Sequence, residues 1–256
     1  MRSVIACSLL IVLISCVESG ASEEKTEPEL SLIIQCMVDT TLYVRPLGEY
    51  TAVLDSIRVR KSNLRRRFES TNNDSIRTEV LNQASHMFED VMIREVFPFW
   101  YGTPWDFNGY TNIPNKGKVA CGYFVSTTLK HAGLNINRYK LAQQNPLNEA
   151  RTLALNDSVR MFTATEASST NLQLNLNLKQ GLYFVGLDSH VGFLWHNETG
   201  NYFIHSNYYG DSGVTIECVD DSQAFESHNY HIAPLSTNMR FVKSWLLKTE
   251  IDVIVK

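Results

Sequence analysis

Three residues of this sequence, Cys121, His190 and His205, belong to the types that enzymes use for covalent catalysis. A thiolate attacks a carbonyl carbon, an imidazole takes the proton from the thiol, and a further polar group orients that imidazole. The three residues therefore predict a nucleophile, a general base and an orienting residue. The alternative is that the cysteine is a packing residue and the histidines lie on a polar sheet face. The combination of all three favours catalysis.

The stretch that begins at Cys121 predicts an amphipathic helix. Its apolar stripe, at spacing i, i+1, i+4, i+5 and i+8, consists of Phe124, Val125, Thr128, Leu129 and Ala132. Gly133 follows this stripe and predicts the end of the helix. A thiol in the first turn lies near the positive end of the helix dipole, so we expect a lowered pKa for Cys121.

A change of period after residue 180 predicts strands, because apolar and polar residues begin to alternate there. The predicted strands cover residues 183–185, 190–195, 202–205 and 214–219, with closing strands at 241–247 and 251–255. The turn sequence at residues 197–201 joins the second and third strands into a hairpin.

The register of that hairpin decides which polar residues share a face. Pairing Trp195 with Tyr202 places His190, His205 and Asn207 on one face, since side chains alternate along a strand. Asn207 then lies directly opposite His190, and His205 lies diagonal to it. This geometry allows either His205 or Asn207 to orient His190.

Helices are predicted ahead of the strands. The spacing of apolar residues predicts helices at residues 49–68 and 74–96, and residues 141–178 are expected to hold one or two short helices. Helices followed by antiparallel strands are typical of an α+β fold. We therefore expect N-terminal helices packed on an antiparallel sheet.

An aromatic stretch, residues 97–109, lies between the second helix and Cys121. Its two prolines, two glycines and six aromatic residues predict a loop rather than a regular helix or a central strand. A loop of this kind either lines a binding cleft or plugs the core. As a cleft wall it contributes Tyr101, Trp105 and Asp106, and the sheet contributes Asn207.

The first residues predict export. One arginine precedes an apolar stretch that is too short to span a bilayer, which is typical of an export signal. Residues 13–16, Leu-Ile-Ser-Cys, resemble the bacterial lipobox, in which Cys16 becomes the lipidated first residue; an ordinary cleaved signal is the alternative. The predicted organisation is a lipoprotein signal at 1–16, a flexible tether at 17–29, a helical extension at 30–96 and a catalytic domain at 97–256.

Charge and cysteine usage exclude several classes of function. The net charge of −4 and the absence of a basic stripe do not favour nucleic-acid binding. After processing, Cys36, Cys121 and Cys218 are an odd number without C-x-x-C spacing, which argues against a disulfide framework and a zinc site. A single disulfide between Cys36 and Cys218 leaves Cys121 free. We expect neither a metal ion nor an organic cofactor.

Four short motifs occur in an order that resembles the NlpC-type cell-wall peptidases, a papain-like family. They are Gly-Thr-Pro-Trp at 102–105, Ala-Cys-Gly-Tyr-Phe-Val at 120–125, Ser-His-Val-Gly-Phe-Leu at 189–194 and Phe-Ile-His-Ser at 203–206. The resemblance covers about residues 97–220. It implies that Cys121 is the nucleophile, His190 the general base and His205 the third, orienting residue, and so favours His205 over Asn207.

Three departures from the family pattern bear on the substrate. Ala120 and Gly122 stand where the family has Asp and Ser, and Trp105 stands where it usually has a Tyr that helps hold the oxyanion or the substrate. The indole offers one N–H donor in exchange for the hydroxyl.

The sequence thus predicts an exported cysteine hydrolase in the cell envelope of a bacterium. The resemblance implies cleavage of peptide or amide bonds in peptidoglycan stem peptides through a thioester intermediate. The alternatives are a lipoprotein that binds peptidoglycan or a protein partner without catalysis, and an acyl or peptidyl transferase with the same three residues. Contact with a membrane is expected through the lipid anchor alone.

Overall fold

The computed structural model describes residues 45–163 and 167–255. All of these residues belong to one compact unit. The predicted export signal with Cys16, the tether and Cys36 lie outside the described residues, so they remain predictions. Within the described ranges, no helix is both long enough and apolar enough to cross a membrane.

The helices lie mainly in the first part of the described chain. They are α1 (Tyr50–Glu69), α2 (Asp74–Asp90), α3 (Phe97–Trp100), α4 (Cys121–His131), α5 (Arg138–Ala142), α6 (Pro146–Ala154), α7 (Ala167–Asn177) and α8 (Met239–Leu247), with a π-helical segment at Val91–Val96 and 3₁₀ turns at Leu47–Glu49 and Gln223–Phe225. The helices predicted at 49–68, 74–96 and from Cys121 are confirmed. Asn73 caps α2 by accepting hydrogen bonds from the backbone N–H groups of Ser75 and Ile76.

Among the described residues, six strands form one antiparallel sheet. They are β1 (Arg160–Thr163), β2 (Gly181–Gly186), β3 (Val191–Asn197), β4 (Gly200–Ser206), β5 (Val214–Cys218) and β6 (Asn229–Pro234), in the order β1-β6-β2-β3-β4-β5. The mixed helix and sheet content confirms an α+β fold. The hairpin register is also confirmed, because Trp195 pairs with Tyr202 and Leu194 pairs with Phe203.

The sheet separates two apolar cores. On one face, side chains such as Phe193 and Ile204 pack with Phe124 of α4 and with helices α1, α2, α6 and α8. On the other face, Phe203 and Leu194 pack with residues of α7, the β5–β6 connection and β6. Helix α4, which carries the thiol, therefore lies on the face opposite to that of Phe203.

The N-terminal helices are built into the same core as the end of α4. The Trp100 indole N–H donates to the Tyr50 hydroxyl (2.9 Å), and that hydroxyl lies 2.8 Å from Nδ1 of His131, the last residue of α4. The buried Nζ of Lys61 in α1 donates to the Gly133 carbonyl just beyond α4 (2.6 Å). Helix α1 thus holds the C-terminal end of the helix that begins at Cys121.

Two predicted strands near the C-terminus are wrong. Residues 239–247 form α8, because Phe241, Val242, Trp245 and Leu246 are buried at helical spacing and Asn238 caps the first turn. Residue Ile251 makes only an isolated bridge to Ile136. Strand β6, which pairs with both β1 and β2, was not predicted, and neither was β1.

The aromatic stretch divides into two parts, and the prediction of a continuous loop is wrong for the first. Residues Phe97–Trp100 form the short helix α3, whose side chains are all buried. Pro98 is tolerated because it occupies the first turn of a helix, where its missing N–H needs no partner. This part plugs the core, and only the residues after it reach the surface.

Candidate active site

Cys121 is the first residue of α4, as the sequence predicted, and it is a free cysteine of intermediate exposure. The next residue must be glycine for steric reasons. A Cβ at Gly122 would lie 2.8 Å from the carbonyl oxygen of Ala142, so glycine lets the end of α5 approach the thiol. This contact gives a physical reason for the glycine that follows the cysteine.

The thiol of Cys121 is in a neutral resting form. Burial and the nearby Glu149 carboxyl raise the pKa of Cys121 to about 11, although the backbone N–H groups of Val191, Gly122 and Cys121 oppose this. The lowered pKa predicted from the helix position is therefore wrong. The helix N-terminus does contribute its N–H donors, but desolvation of the thiolate outweighs them.

His190 lies directly before β3 and is 3% exposed. Its Nε2 is 2.9 Å from Nδ1 of His205, and the two rings are at 86° to one another. Of the two candidates for the third residue, the one that hydrogen-bonds His190 is thus His205. Both histidines are neutral, because burial lowers the pKa of His190 well below its usual range and also lowers the pKa of His205.

His205 in turn makes a hydrogen bond to a carboxylate, so that His190, His205 and this carboxylate form one hydrogen-bonded line. Nε2 of His205 lies 3.1 Å from Oε2 of Glu217. Burial alone would raise the pKa of Glu217, but hydrogen bonds from His205, Ser222 and Asn207 outweigh burial and lower that pKa. Glu217 is therefore a carboxylate that can only accept hydrogen bonds.

This carboxylate fixes the tautomers of both histidines. Because Glu217 only accepts, Nε2 of His205 carries its proton, and Nδ1 of the same neutral ring must accept. Nε2 of His190 then donates to that Nδ1. The remaining ring nitrogen of His190, Nδ1, is left without a proton. An imidazole in this state is a base.

Asn207 holds the carboxylate rather than the imidazole. Its Nδ2 donates to Oε1 of Glu217 (3.1 Å), and its Oδ1 accepts from the backbone N–H of Tyr209 (2.8 Å). Ser222 donates to the other carboxylate oxygen at 2.5 Å. With His205, these two side chains occupy both oxygens of Glu217 and fix its orientation.

Packing holds the His205 ring in place. Phe203 stacks on it with ring centroids 4.1 Å apart and an interplanar angle of 13°. Gly192 on the neighbouring strand makes this stack fit, since a Cβ there would lie 2.5 Å from the Phe203 ring and 2.9 Å from Cβ of His205. The sequence motif His-Val-Gly therefore needs its glycine for close packing.

A clamp secures the turn that carries His190. Asp188 accepts hydrogen bonds from the Ser227 hydroxyl (2.9 Å), the His228 backbone N–H (2.8 Å) and the Asn229 side chain (2.7 Å). Hydrogen bonds from Asn229 and its neighbours lower the pKa of Asp188 to about 2. The β2–β3 turn is thereby tied to the start of β6, two residues before His190.

Cys121 and His190 line one cleft of about 450 Å³. Its other walls are formed by Trp105, Phe107, Ala120, Gly122, Tyr123, Ala142, Gln143, Ser189 and Tyr208. The Tyr208 ring lies 4.9 Å from the His190 ring and 6.2 Å from the Trp105 ring. Trp105 and Tyr208 thus place an indole N–H and a phenol at the same site.

Two residues predicted for the cleft lie elsewhere. Tyr101 is 6% exposed and packs in the core that contains Phe124 of α4, rather than lining the cleft. Asp106 forms an ion pair with Lys118 (3.1 Å) and lines a separate surface pocket formed by residues of the same loop. The wall contributed by the aromatic stretch therefore consists of Trp105 and Phe107.

Three residues at the site were not predicted: Glu149, Tyr208 and Glu217. A signal existed for Glu217, because period two along β5 places it on the same face as His205. Tyr208 follows the predicted Asn207 and could have been found by extending the strand. Glu149 comes from α6, and only tertiary packing brings it near the thiol.

Cys218 at the end of β5 takes part in a disulfide, and Cys121 does not. The predicted partner, Cys36, lies outside the described residues. Among the described residues, no cluster of three or more His, Cys, Asp or Glu side chains is arranged to hold a metal ion. Comparisons with protein-family models, with curated proteins and with solved structures find no match to this chain.

Proposed function

We propose that this chain is a cysteine hydrolase with a papain-like, NlpC-type core that cleaves peptide or amide bonds. The observation that carries this proposal is the hydrogen-bonded line from Glu217 through His205 to His190, which leaves Nδ1 of His190 unprotonated, while His190 and Cys121 line the same cleft. Such a line serves no purpose for a neutral packing cysteine, but it is the arrangement that a general base for a thiol requires.

The first chemical step is proton transfer. The thiol and His190 are both neutral at rest, so Nδ1 of His190 takes the proton from Cys121 as the sulfur attacks the substrate carbonyl. The imidazolium that forms donates from Nε2 to His205, whose other nitrogen donates to the Glu217 carboxylate. A negative charge at the end of the line stabilises the positive charge that develops on His190.

The oxyanion formed by this attack needs hydrogen-bond donors. The backbone N–H at the start of α4 supplies one, since the first N–H groups of a helix have no partner within the helix. Of the donor side chains that line the cleft, we assign the second hydrogen bond to the Trp105 indole or to the Tyr208 hydroxyl. Collapse of the intermediate then expels the amine, which receives the proton from His190 and leaves a thioester on Cys121.

Hydrolysis completes the cycle. Neutral His190 takes a proton from water, the hydroxide adds to the thioester carbonyl, and the thiolate leaves and regains the proton. The substrate proposed from the resemblance is a peptidoglycan stem peptide. This substrate agrees with the export signal and with the proposed lipid anchor at Cys16, which would keep the enzyme in a bacterial cell envelope.

Two measurements test the proposal. A covalent thiol probe should label Cys121, and labelling should fall in His190→Ala but not in His86→Ala, which removes an exposed histidine from α2. Mass spectrometry should detect new peptide fragments when peptidoglycan fragments are incubated with the mature protein, and none with Cys121→Ala. Strong labelling without any product from peptides or amides would contradict a hydrolase. Products joined to an added amine would instead identify a transferase.

A further inference from the structure

A second, smaller cavity adjoins the cleft at the thiol. Its volume is about 130 Å³, and it shares Cys121, Gly122, Ala142, Ser189 and His190 with the cleft. The residues that belong to it alone are Gln144, Pro146, Glu149 and Val191. A group bound there lies next to the atom that the proposed reaction uses.

Glu149 is the ionisable side chain that this cavity has and the cleft lacks. It is 2% exposed, and its Oε2 has no hydrogen-bond partner among the described residues. Its position is fixed by α6, which Asn145 caps and whose first residue packs against β2. A Cβ at Gly186 of β2 would lie only 2.7 Å from Cβ of Pro146.

An unpartnered buried carboxyl is costly, because it gives up hydration without receiving a hydrogen bond in return. Burial raises the pKa of Glu149 well above its usual range, because the carboxylate form has lost its hydration. In the described part of the chain no lysine, arginine or histidine forms an ion pair with it. The missing partner can therefore be supplied by a ligand.

The chemistry of that ligand follows from the charge and size of the cavity. A cation with N–H donors both satisfies the free oxygen and stabilises the carboxylate form, which releases its proton to solvent. A dry cavity of about 150 Å³ accommodates a benzene molecule, so this slightly smaller space fits a short aminoalkyl group but not a sugar ring with its hydroxyls.

On the basis of the proposed function, we infer that the side cavity is a subsite for a short primary ammonium group of the substrate, which pairs with Glu149. The subsite selects peptides that carry such a group close to the carbonyl attacked by Cys121. Glu149 is thus a specificity-determining residue rather than a member of the line from His190 to Glu217.

Thiol labelling tests the subsite without any need for turnover. Two reagents of equal chain length, 2-aminoethyl methanethiosulfonate and propyl methanethiosulfonate, place an ammonium or a methyl group near the cavity when they react with Cys121. The ratio of their rates cancels the thiolate fraction, which both reagents share. We expect the ratio, relative to a free thiol in solution, to favour the ammonium reagent and to fall roughly tenfold in Glu149→Gln.

Controls separate the subsite from general electrostatics. Glu250→Gln changes net charge equally at an exposed position and should leave the ratio unchanged. A trimethylammonium analogue carries the same charge without N–H donors and should lose most of the advantage. A wild-type ratio equal to that of the free thiol overturns the inference even if Glu149→Gln does not fold. An equal fall in Glu250→Gln overturns it as well.

Peptide substrates then identify the source of the amine. Stem peptides are acetylated either at the amino terminus or at an aminoalkyl side chain. We expect one of these two modifications, and not the other, to lower kcat/KM for the wild type. The same modification should not lower kcat/KM for Glu149→Gln any further. If no peptide is cleaved while the labelling preference remains, the proposed function fails and the cation subsite stands. If peptides are cleaved equally well with both amines blocked, the subsite assignment fails and the hydrolase stands.

Discussion

The rings of His190 and His205 meet at 86°, with Nε2 of the first 2.9 Å from Nδ1 of the second. An edge-to-edge hydrogen bond of this kind fixes both the tilt of the His190 ring and the nitrogen that carries its proton. Phe203, on the same strand, stacks on the His205 ring. Packing on the sheet therefore holds His205, and His205 in turn orients His190.

The first prediction concerns the orienting residue. His205→Ala should reduce kcat on the order of 10²–10⁴-fold and leave residual activity, because nucleophile and base remain. Asn207→Ala should lower kcat less than about tenfold, because Asn207 donates its hydrogen bond to Glu217 and not to His190. Steady-state kinetics on one peptide substrate compares the two variants. A larger loss for Asn207→Ala would transfer the role to that residue.

The second prediction concerns Glu217. Glu217→Gln keeps the side-chain shape but replaces the carboxylate with an amide, which weakens the stabilisation of positive charge on the two histidines. We expect kcat to fall about tenfold with little change in KM, the scale of one charge-assisted hydrogen bond. Glu198→Gln, on the β3–β4 turn, is the matched surface control. An unchanged kcat would show that Glu217 only supports the fold.

The third prediction concerns the thiol. The raised pKa of Cys121 means that the thiolate is a minor species at neutral pH, so the alkylation rate should keep rising as pH increases toward about 11. Because the Glu149 carboxyl contributes to the shift, Glu149→Gln should move the midpoint of the profile to lower pH. Iodoacetamide kinetics across the pH range measures both effects. A plateau already reached below the free-thiol value of about 8.5 would contradict a neutral resting thiol.

The fourth prediction separates two donors in the cleft. If the Trp105 indole holds the oxyanion, Trp105→Phe should lower kcat by about 10²–10³-fold, whereas Tyr208→Phe should have a small effect. The reverse outcome would assign the role to the hydroxyl of Tyr208, whose ring lies 4.9 Å from the His190 ring. Both variants keep an aromatic ring in the cleft, so thermal unfolding should show that packing is preserved.

The fifth prediction concerns the anchor. Cys16→Ser should release the protein from the membrane fraction, because two acyl chains anchor stably and their attachment needs the cysteine. Fractionation of expressing bacteria with an antibody against the mature chain measures this. Cys7→Ser, within the same signal, should leave the protein in the membrane fraction. Continued sedimentation of Cys16→Ser with membranes would contradict the lipobox assignment.

The features that local pattern specifies were predictable. The stripe behind Cys121 defined α4, and period two with a tight turn defined the β3–β4 register, so the meeting of His190 with a polar ring on the next strand followed from the sequence. The resemblance to a known family then favoured His205 over Asn207, and His205 makes the hydrogen bond.

The features that depend on competition between patterns or on long-range packing were not predictable. The run at 241–247 is apolar enough for a strand, but its buried residues repeat at helical spacing and a capped helix results. The pKa of Cys121 is raised first by burial and then by Glu149, which comes near the thiol because α6 packs against Gly186. No spacing in the sequence encodes that approach.

The site is divided between the two faces of the sheet, and this division has a consequence for when the protein becomes active. Helix α4 belongs to one core and His205 to the other, and His190 lies at the edge where they meet. A partly folded chain therefore holds a thiol without a base. Under the proposed function, the unfolded polypeptide does not cleave peptide bonds while it is exported across a membrane. It becomes active only after export, when the residues on both faces of the sheet have packed.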